Sequence, residues 1–152
     1  MQLDLKVPPD VVALVVAALM WLIAAVTPSL AVPSAHLVPA AVALLVVGLT
    51  LIVAARVGFA RVGTTFSPVA PGRSECLVTT GVYRLTRNPM YLGTLIALLA
   101  FAVALSNAFA AVASALYAVY MNRFQIAPEE RVLRERFGLA YEEYASRVRR
   151  WV

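Results

Sequence analysis

The sequence contains little charge. Asp, Glu, Lys and Arg make up 14% of its 152 residues, whereas about a quarter is usual in a soluble domain. Two long stretches, 11–55 and 91–122, contain no charged residue. A charge at the centre of a bilayer costs about 2.5–3.5 kcal/mol on insertion scales, so such stretches are typical of membrane spans. The composition argues against an ordinary soluble domain and predicts an all-α integral membrane protein.

Cysteine and histidine are almost absent. Cys76 and His36 are the only residues of their kinds, which excludes an internal disulfide and a thiolate metal cluster. We expect Cys76 to be buried as a small apolar residue. The sequence also lacks a glycine-rich dinucleotide motif, a phosphate-binding loop, a Ser-His-Asp set and an HExxH motif. We therefore predict no bound metal, and favour group transfer from an activated donor, which depends mainly on positioning and desolvation.

The apolar stretches predict four transmembrane helices. The first two cover 11–26 and 37–55, and a polar stretch follows at 63–88. The next apolar stretch, 90–124, is too long for one span, because its apolar part would reach about 45 Å against a hydrocarbon core of about 30 Å. Ser106-Asn107 interrupts it near the middle. We therefore expect two short helices that form a hairpin.

The basic residues indicate the orientation. With four spans, all 13 Lys and Arg residues lie on one side of the membrane, and the two turns on the other side contain none. The positive-inside rule makes that side cytoplasmic, with both termini and any site between them. The net charge of +5 follows from this topology, so we predict no nucleic-acid partner. The first apolar stretch continues without a small-residue cleavage site, which favours a retained span over a signal peptide.

The C-terminal stretch, 127–152, predicts an amphipathic cytoplasmic helix or helix pair. Pro128 suits a first helical turn, and Glu129 and Glu130 are favourable near a helix N-terminus. Gly138 is expected to break or bend the helix. Apolar and aromatic residues recur at roughly helical spacing and predict one buried face: Val132, Leu133, Phe137, Tyr141, Tyr144, Val148 and Trp151.

The polar sequence GVYRLTRNPMYLG, 81–93, directly precedes the third span. A helix cannot run smoothly through Asn88 because Pro89 follows it, so we expect Asn88 to be the N-cap and Pro89 to begin the helix. In a purely structural interpretation, Arg84 and Arg87 are interfacial anchors and Tyr91 belongs to the aromatic belt.

A functional interpretation rests on the same geometry. A helix start at the membrane surface leaves backbone N–H groups and a positive dipole end that attract an anionic group. The hairpin returns the chain to that face, where Glu129 and Glu130 can meet it. Such a site suits a zwitterionic ligand. A ring could be sandwiched by the apolar and aromatic neighbours Leu77, Val78, Tyr83 and Tyr91.

Two motifs resemble those of a known family. They are LVTTGVYRLTRNPMYLG at 77–93 and EERVLRERFGLAYEEYASRVRRW at 129–151. They resemble the isoprenylcysteine carboxyl methyltransferase family and its phospholipid methyltransferase relatives. The resemblance covers the chain from about residue 63 onwards. It implies an integral membrane methyltransferase that uses S-adenosyl-L-methionine and a lipophilic or lipidated acceptor arriving from the bilayer. Residues 1–60 would then form two N-terminal transmembrane helices, and 61–152 a methyltransferase-like core.

The resemblance also implies site residues. Arg87 and Glu130 would be catalytic. The cofactor would be bound by Leu77, Val78, Tyr83, Asn88, Pro89, Met90, Tyr91 and Glu129. We expect Arg87 and the helix start to hold the methionyl carboxylate, and a glutamate to hold the ribose hydroxyls or the ammonium.

Two positions depart from the family pattern. Asn88 stands where the family has histidine, and Gln125 stands where the prenylcysteine enzymes have an arginine associated with the substrate carboxylate. The acceptor therefore stays open between a carboxylate, an amine and a thiol, and a phospholipid or amine N-methyltransferase is an alternative. Two further alternatives are a relative of the NADPH-dependent sterol reductases, which share an Arg-His-Pro-x-Tyr element, and a non-catalytic membrane interaction protein.

Overall fold

A computed structural model describes residues 5–61 and 76–152 as a set of helices. They are α1 Pro9–Val26, α2 Ser34–Arg61, α3 Pro89–Ala104, α4 Ala108–Tyr120, α5 Ala127–Phe137 and α6 Leu139–Arg147. A 3₁₀ turn, Gly81–Arg84, precedes α3, and a π-helical segment, Met121–Ile126, joins α4 to α5. These two ranges contain no β-strand, so the all-α class is confirmed. Most of the predicted polar stretch after α2 lies outside the described residues.

The first four helices form a bundle in which successive helices run in opposite directions. α2 packs along α3, and α1 packs along α4. At one end, the Leu30 N–H donates to the Ser106 carbonyl at 2.6 Å, which joins the α1–α2 connection to the α3–α4 connection. At the other end, the Leu5 N–H donates to the Phe124 carbonyl at 3.0 Å. The chain therefore returns to the same end of the bundle after every second helix.

The predicted helix break at Ser106-Asn107 is present, and Asn107 explains it. Its Oδ1 accepts a hydrogen bond from the Ala110 N–H at 2.9 Å, which caps α4. Its Nδ2 donates to Thr27 Oγ1 at 2.9 Å. Ser106 has φ of 51°, a left-handed conformation that reverses the chain between the two helices. One buried amide thus caps α4 and holds the two connections together.

α2 and α3 approach each other most closely at two glycines. A Cβ atom on Gly48 would lie 2.6 Å from the Gly93 carbonyl oxygen, and a Cβ on Gly93 would lie 2.5 Å from the Gly48 carbonyl oxygen. Only glycine fits at such a backbone contact. This crossing holds α3 inside the bundle, with its N-terminus beside the end of α2.

The outer surfaces of the bundle are apolar. Leu14 on α1 is 71% exposed, and Val112 on α4 is 73% exposed. α1 and α2 are both long and apolar enough to cross a membrane, and α3 is a shorter apolar helix. Large exposed apolar faces are rare on monomeric soluble proteins. The described part of the chain is therefore that of a membrane-associated protein.

The C-terminal region forms the predicted helix pair, with one difference at its start. Gly138, at φ of 51°, separates α5 from α6. The predicted apolar face is buried or half-buried throughout. However, α5 continues from α4 through the π-helical segment without a break, so Glu129 and Glu130 do not lie at a free helix N-terminus. The prediction that they stabilise such an end is wrong.

Candidate active site

A cavity lies at the end of the bundle where α2 ends and α3 begins. It contains about 780 Å³ of empty space, part of which is open to solvent. Fifteen residues line it: Phe59, Cys76, Leu77, Val78, Tyr83, Arg87, Asn88, Pro89, Met90, Tyr91, Glu129, Glu130, Leu133, Tyr141 and Tyr144. All ten residues predicted for the site are among them. The structure thus brings together residues that are up to 53 positions apart.

The N-terminus of α3 forms part of the cavity wall. The helix begins at Pro89 and Asn88 occupies the N-cap position, as predicted. The predicted side-chain cap is wrong, because Asn88 forms no side-chain hydrogen bond to the first turn. Its Nδ2 instead donates to the Arg150 carbonyl at 2.8 Å. Since no Asn88 side chain caps it, the positive end of α3 stays available to an anionic group.

Glu129 is held by two neutral donors. Its Oε1 accepts hydrogen bonds from Tyr91 Oη at 2.7 Å and from Gln125 Nε2 at 3.0 Å. Burial raises the pKa of the Glu129 carboxyl from 4.5 to about 7, although both hydrogen bonds oppose the rise. Tyr91 is only 5% exposed, so its interpretation as a belt aromatic is wrong.

The π-helical segment places Gln125 beside this carboxylate. Gln125 is 2% exposed and lies within the segment, four residues before Glu129. A π-helical turn inserts an extra residue into the helix and changes the direction of the side chains that follow. Residues four positions apart share one helix face, so Gln125 reaches Glu129, and Glu129 contacts α3 through Tyr91.

Glu130 has charged partners, in contrast to Glu129. Arg150 donates to it through Nε at 3.0 Å and Nη2 at 2.7 Å. Arg87 Nη2 lies 3.2 Å from Oε1 of the same carboxylate. Glu130 is 7% exposed, and its pairing with Arg87 is shielded from solvent, whereas the Arg150 side chain is 38% exposed. Two guanidinium groups therefore share one carboxylate, which leaves one positive charge in excess.

Arg87 has an unsatisfied donor beside the cavity. Its Nη1 donates weakly to Tyr141 Oη at 3.4 Å, and its Nη2 pairs with Glu130. Its Nε is buried and has no hydrogen-bond partner among the residues that the structure describes. A buried donor without a partner costs about 1–3 kcal/mol, which an anionic ligand group would relieve.

The other wall of the cavity is aromatic and apolar. Phe59, at the end of α2, contacts the Tyr83 ring edge to face, with centroids 5.5 Å apart and planes at 84°. Tyr144 Oη donates to the Tyr83 carbonyl at 2.7 Å. Burial raises the pKa of Tyr83 and Tyr144, so both phenols stay neutral. Together with Leu77 and Val78 they provide a surface for a flat ring.

Sequence reasoning missed five of the lining residues. Tyr141 and Tyr144 were predicted as a buried helix face, and their spacing after the glutamate pair was a usable signal. Phe59 and Leu133 look like ordinary apolar residues, and nothing in the sequence distinguishes them. Cys76 is exposed, which corrects the prediction that it is buried. The unique thiol at the edge of the cavity provides an experimental probe.

The comparisons with known proteins identify the family. A sequence profile of the phospholipid methyltransferase family matches residues 37–140, which is more than half of the chain. The protein belongs to this family. The match includes α3, α4, α5 and most of α2, and therefore most of the cavity wall.

Individual relatives are similar to shorter parts of the chain. Protein-S-isoprenylcysteine O-methyltransferase B of Arabidopsis thaliana is 37% identical over 111 residues, covering 66% of this chain and 55% of that protein. Form A of the same plant is 47% identical over 75 residues, covering 47% and 36%. An uncharacterised protein of Haemophilus influenzae is 41% identical over 63 residues, covering 41% of this chain and all of that protein. The chain thus spans about half or less of the two plant enzymes. No solved structure matches the chain.

Proposed function

We propose that this protein is an integral membrane methyltransferase that binds S-adenosyl-L-methionine in the cavity and methylates a lipophilic acceptor. One observation carries the proposal. The cavity pairs a wall with excess positive charge, at Arg87, with a second carboxylate, Glu129, that has only neutral hydrogen-bond donors among its described contacts. This arrangement matches an amino acid zwitterion, and it occurs in a member of a methyltransferase family.

The residues present fit this cofactor. Arg87 and the start of α3 would hold the methionyl carboxylate. Glu129 would hold the ammonium or the ribose hydroxyls. Tyr83, Leu77 and Val78 would contact the adenine ring. When bound, the cofactor supplies an activated methyl group on a sulfonium. The residues of the cavity would mainly orient the reactants and exclude water.

The helix bundle supports a placement in the membrane. We propose four spans, α1 to α4, with both termini and the cavity on the cytoplasmic side. The basic residues favour this orientation. α3 and α4, with 16 and 13 residues, are short for a bilayer, so we expect local thinning or shielding by neighbouring helices. A lipophilic acceptor would reach the cavity from between the spans.

Two acceptor classes have specific support. The plant relatives are named for O-methylation of isoprenylcysteine, which favours a carboxylate. Gln125 favours an amine instead, because it is a neutral residue that donates to Glu129 and supplies no cation for an acceptor carboxylate.

The experiment that tests the proposal uses the full chain in lipid nanodiscs. Calorimetry should show micromolar binding of S-adenosylhomocysteine. The same ligand should slow the alkylation of Cys76 by N-ethylmaleimide, since this exposed thiol lines the cavity. Tyr91→Phe, which removes the hydroxyl that contacts Glu129, should weaken binding, whereas Tyr120→Phe, outside the cavity lining, is the matched control.

Two results would contradict the proposal. One is tight binding of NADPH with no response to S-adenosylhomocysteine, which would favour a reductase. The other is the absence of binding by either compound from a protein with a cooperative melting transition, which would favour a non-catalytic interaction protein. Transfer of labelled methyl groups to a membrane lipid extract then distinguishes the acceptors, because methyl esters are base-labile and methylamines are not.

A further inference from the structure

The residues after α6 form an extended segment, 148–151, which we call the C-terminal strap. Its backbone contacts the segment that leads into α3. The Arg149 carbonyl accepts from the Arg87 N–H at 3.0 Å. The Arg150 carbonyl accepts from Thr86 Oγ1 at 3.1 Å and from Asn88 Nδ2 at 2.8 Å. These contacts fix the backbone of Arg150 beside the start of α3.

A further contact anchors the end of the strap. Trp151 Nε1 donates to Asn122 Oδ1 at 3.1 Å, within the π-helical segment. The strap therefore connects the α3 start to the helix that carries Glu130. The Arg150 side chain extends from it to Glu130 in a bidentate contact. This hydrogen bonding raises the pKa of Arg150, so the group stays cationic.

The C-terminal strap affects the net charge at the cavity wall, because it carries one of the two arginines that pair with Glu130. Without Arg150, Glu130 would neutralise Arg87, because their side chains lie 3.2 Å apart in a shielded position. With Arg150 present, the three groups carry one net positive charge. Arg87 lines the cavity, whereas Arg150 is not among its lining residues. The surplus charge is thus presented to a ligand through Arg87.

We propose that Arg150 is a positioning residue that compensates Glu130 and so keeps Arg87 available to the carboxylate of the bound methyl donor. This inference rests on the proposed function. It also separates the two glutamates: Glu129 faces the ligand, and Glu130 balances the arginine pair. Arg150 acts at a distance from the ligand, through electrostatics and through the orientation of the Arg87 fork.

Two ligands that differ only in the amino acid part test this role. S-adenosylhomocysteine has an α-amino carboxylate, whereas 5′-methylthioadenosine keeps the nucleoside thioether and lacks it. In the full chain in nanodiscs, Arg150→Ala should weaken calorimetric binding of S-adenosylhomocysteine about tenfold, as expected for loss of a partly buried charge partner. Binding of 5′-methylthioadenosine should change less than about twofold, because no carboxylate is involved.

Three variants complete the test. Arg149→Ala is the matched control, since Arg149 has an exposed side chain and contributes a backbone carbonyl. Arg150→Lys keeps the charge without the bidentate fork. Its affinity for S-adenosylhomocysteine should lie between those of the unmodified protein and Arg150→Ala. In the double variant Glu130→Gln with Arg150→Ala, the charge that needs compensation is gone. It should recover most of the affinity that Arg150→Ala loses.

The outcomes are distinguishable. Equal losses for both ligands, or no rescue in the double variant, would show that the strap only supports the fold and would overturn the inference. Unchanged binding of S-adenosylhomocysteine by Arg150→Ala would overturn it too. If the unmodified protein binds neither ligand, the proposed function itself fails, whatever the variants do. Thermal melting identifies a variant that does not fold, and in that case Arg150→Lys and the double variant decide.

Discussion

Glu129 provides the sharpest prediction, because the same substitution should improve stability and weaken ligand binding. The pKa of its carboxyl in the folded protein is raised from 4.5 to about 7, chiefly by burial. Between these two values the folded protein binds more protons at this site than the unfolded chain does. The free energy of unfolding of the protein therefore falls as the pH rises from 4.5 to about 7. Glu129→Gln removes the titrating group while keeping a hydrogen-bond acceptor for Tyr91.

The magnitude follows from the shift. At about 1.4 kcal/mol per pKa unit, a rise from 4.5 to about 7 corresponds to about 3 kcal/mol. Glu129→Gln should therefore be more stable than the unmodified, ligand-free protein by up to that amount at pH 8. The difference should shrink as the pH falls from about 7 to 4.5 and vanish well below pH 4.5, where the carboxyl is protonated in both states. The melting temperature should rise by about 5–10 °C at pH 8.

The assay is thermal unfolding followed by tryptophan fluorescence in detergent, at several pH values from 5 to 8. Comparison of variant and unmodified protein at each pH cancels the titration of all other groups. Glu130→Gln is the matched control, because Glu130 is held by two arginines and its neutralisation should destabilise the fold. Glu143→Gln changes a largely exposed side chain and should have little effect.

Ligand binding should respond in the opposite direction. Glu129→Gln should weaken S-adenosylhomocysteine about tenfold, since a neutral amide cannot pair with the ligand's ammonium. In the unmodified protein, affinity should rise from pH 6 to pH 8, as Glu129 ionises, and 5′-methylthioadenosine should show no such trend. A stability gain that is the same at pH 5 and pH 8, or no gain at all, would refute the reasoning about burial.

Two further predictions concern the bundle. Gly93→Leu should abolish cooperative melting and monodisperse gel filtration, because even a Cβ would approach the Gly48 carbonyl to 2.5 Å; Val112→Leu on the exposed apolar surface should be neutral, and a well-folded Gly93→Leu protein would contradict the close crossing. Asn107→Ala should lower the free energy of unfolding by about 1–2 kcal/mol through loss of the α4 cap. Asn107→Ser, which keeps a neutral acceptor for the Ala110 N–H, should lose less, and equal losses would assign the effect to the Nδ2 contacts instead.

The helix limits could be predicted because local physics determines them. Proline disfavours helical backbone in the residue before it, so α3 had to begin at Pro89. Asn107 could be recognised as a helix break because a polar Ser-Asn pair inside a long apolar stretch indicates a turn between two helices. The apolar face of the C-terminal helices follows from spacing alone. In each case a few neighbouring residues carry enough information to specify the backbone.

The contacts inside the cavity could not be predicted in this way. Asn88 has the right identity and position for a cap, yet it bonds to the Arg150 carbonyl, 62 residues away. Gln125, which contacts Glu129, lies in a π-helical segment that hydrophobic periodicity does not reveal. Cys76 is exposed and lines the cavity, although its sequence neighbours suggested a buried residue. These features depend on how distant segments meet, which no local pattern encodes.

The exceptions share a location and point to a common cause. A side-chain cap is absent at the start of α3, a carboxylate is buried among neutral donors, and an arginine nitrogen lacks a partner among the described residues. Each of these lowers stability when no ligand is present. Natural sequences tolerate such costs mainly at functional sites. The three groups line the same cavity, and a zwitterion would satisfy the helix end, the arginine and the carboxylate together.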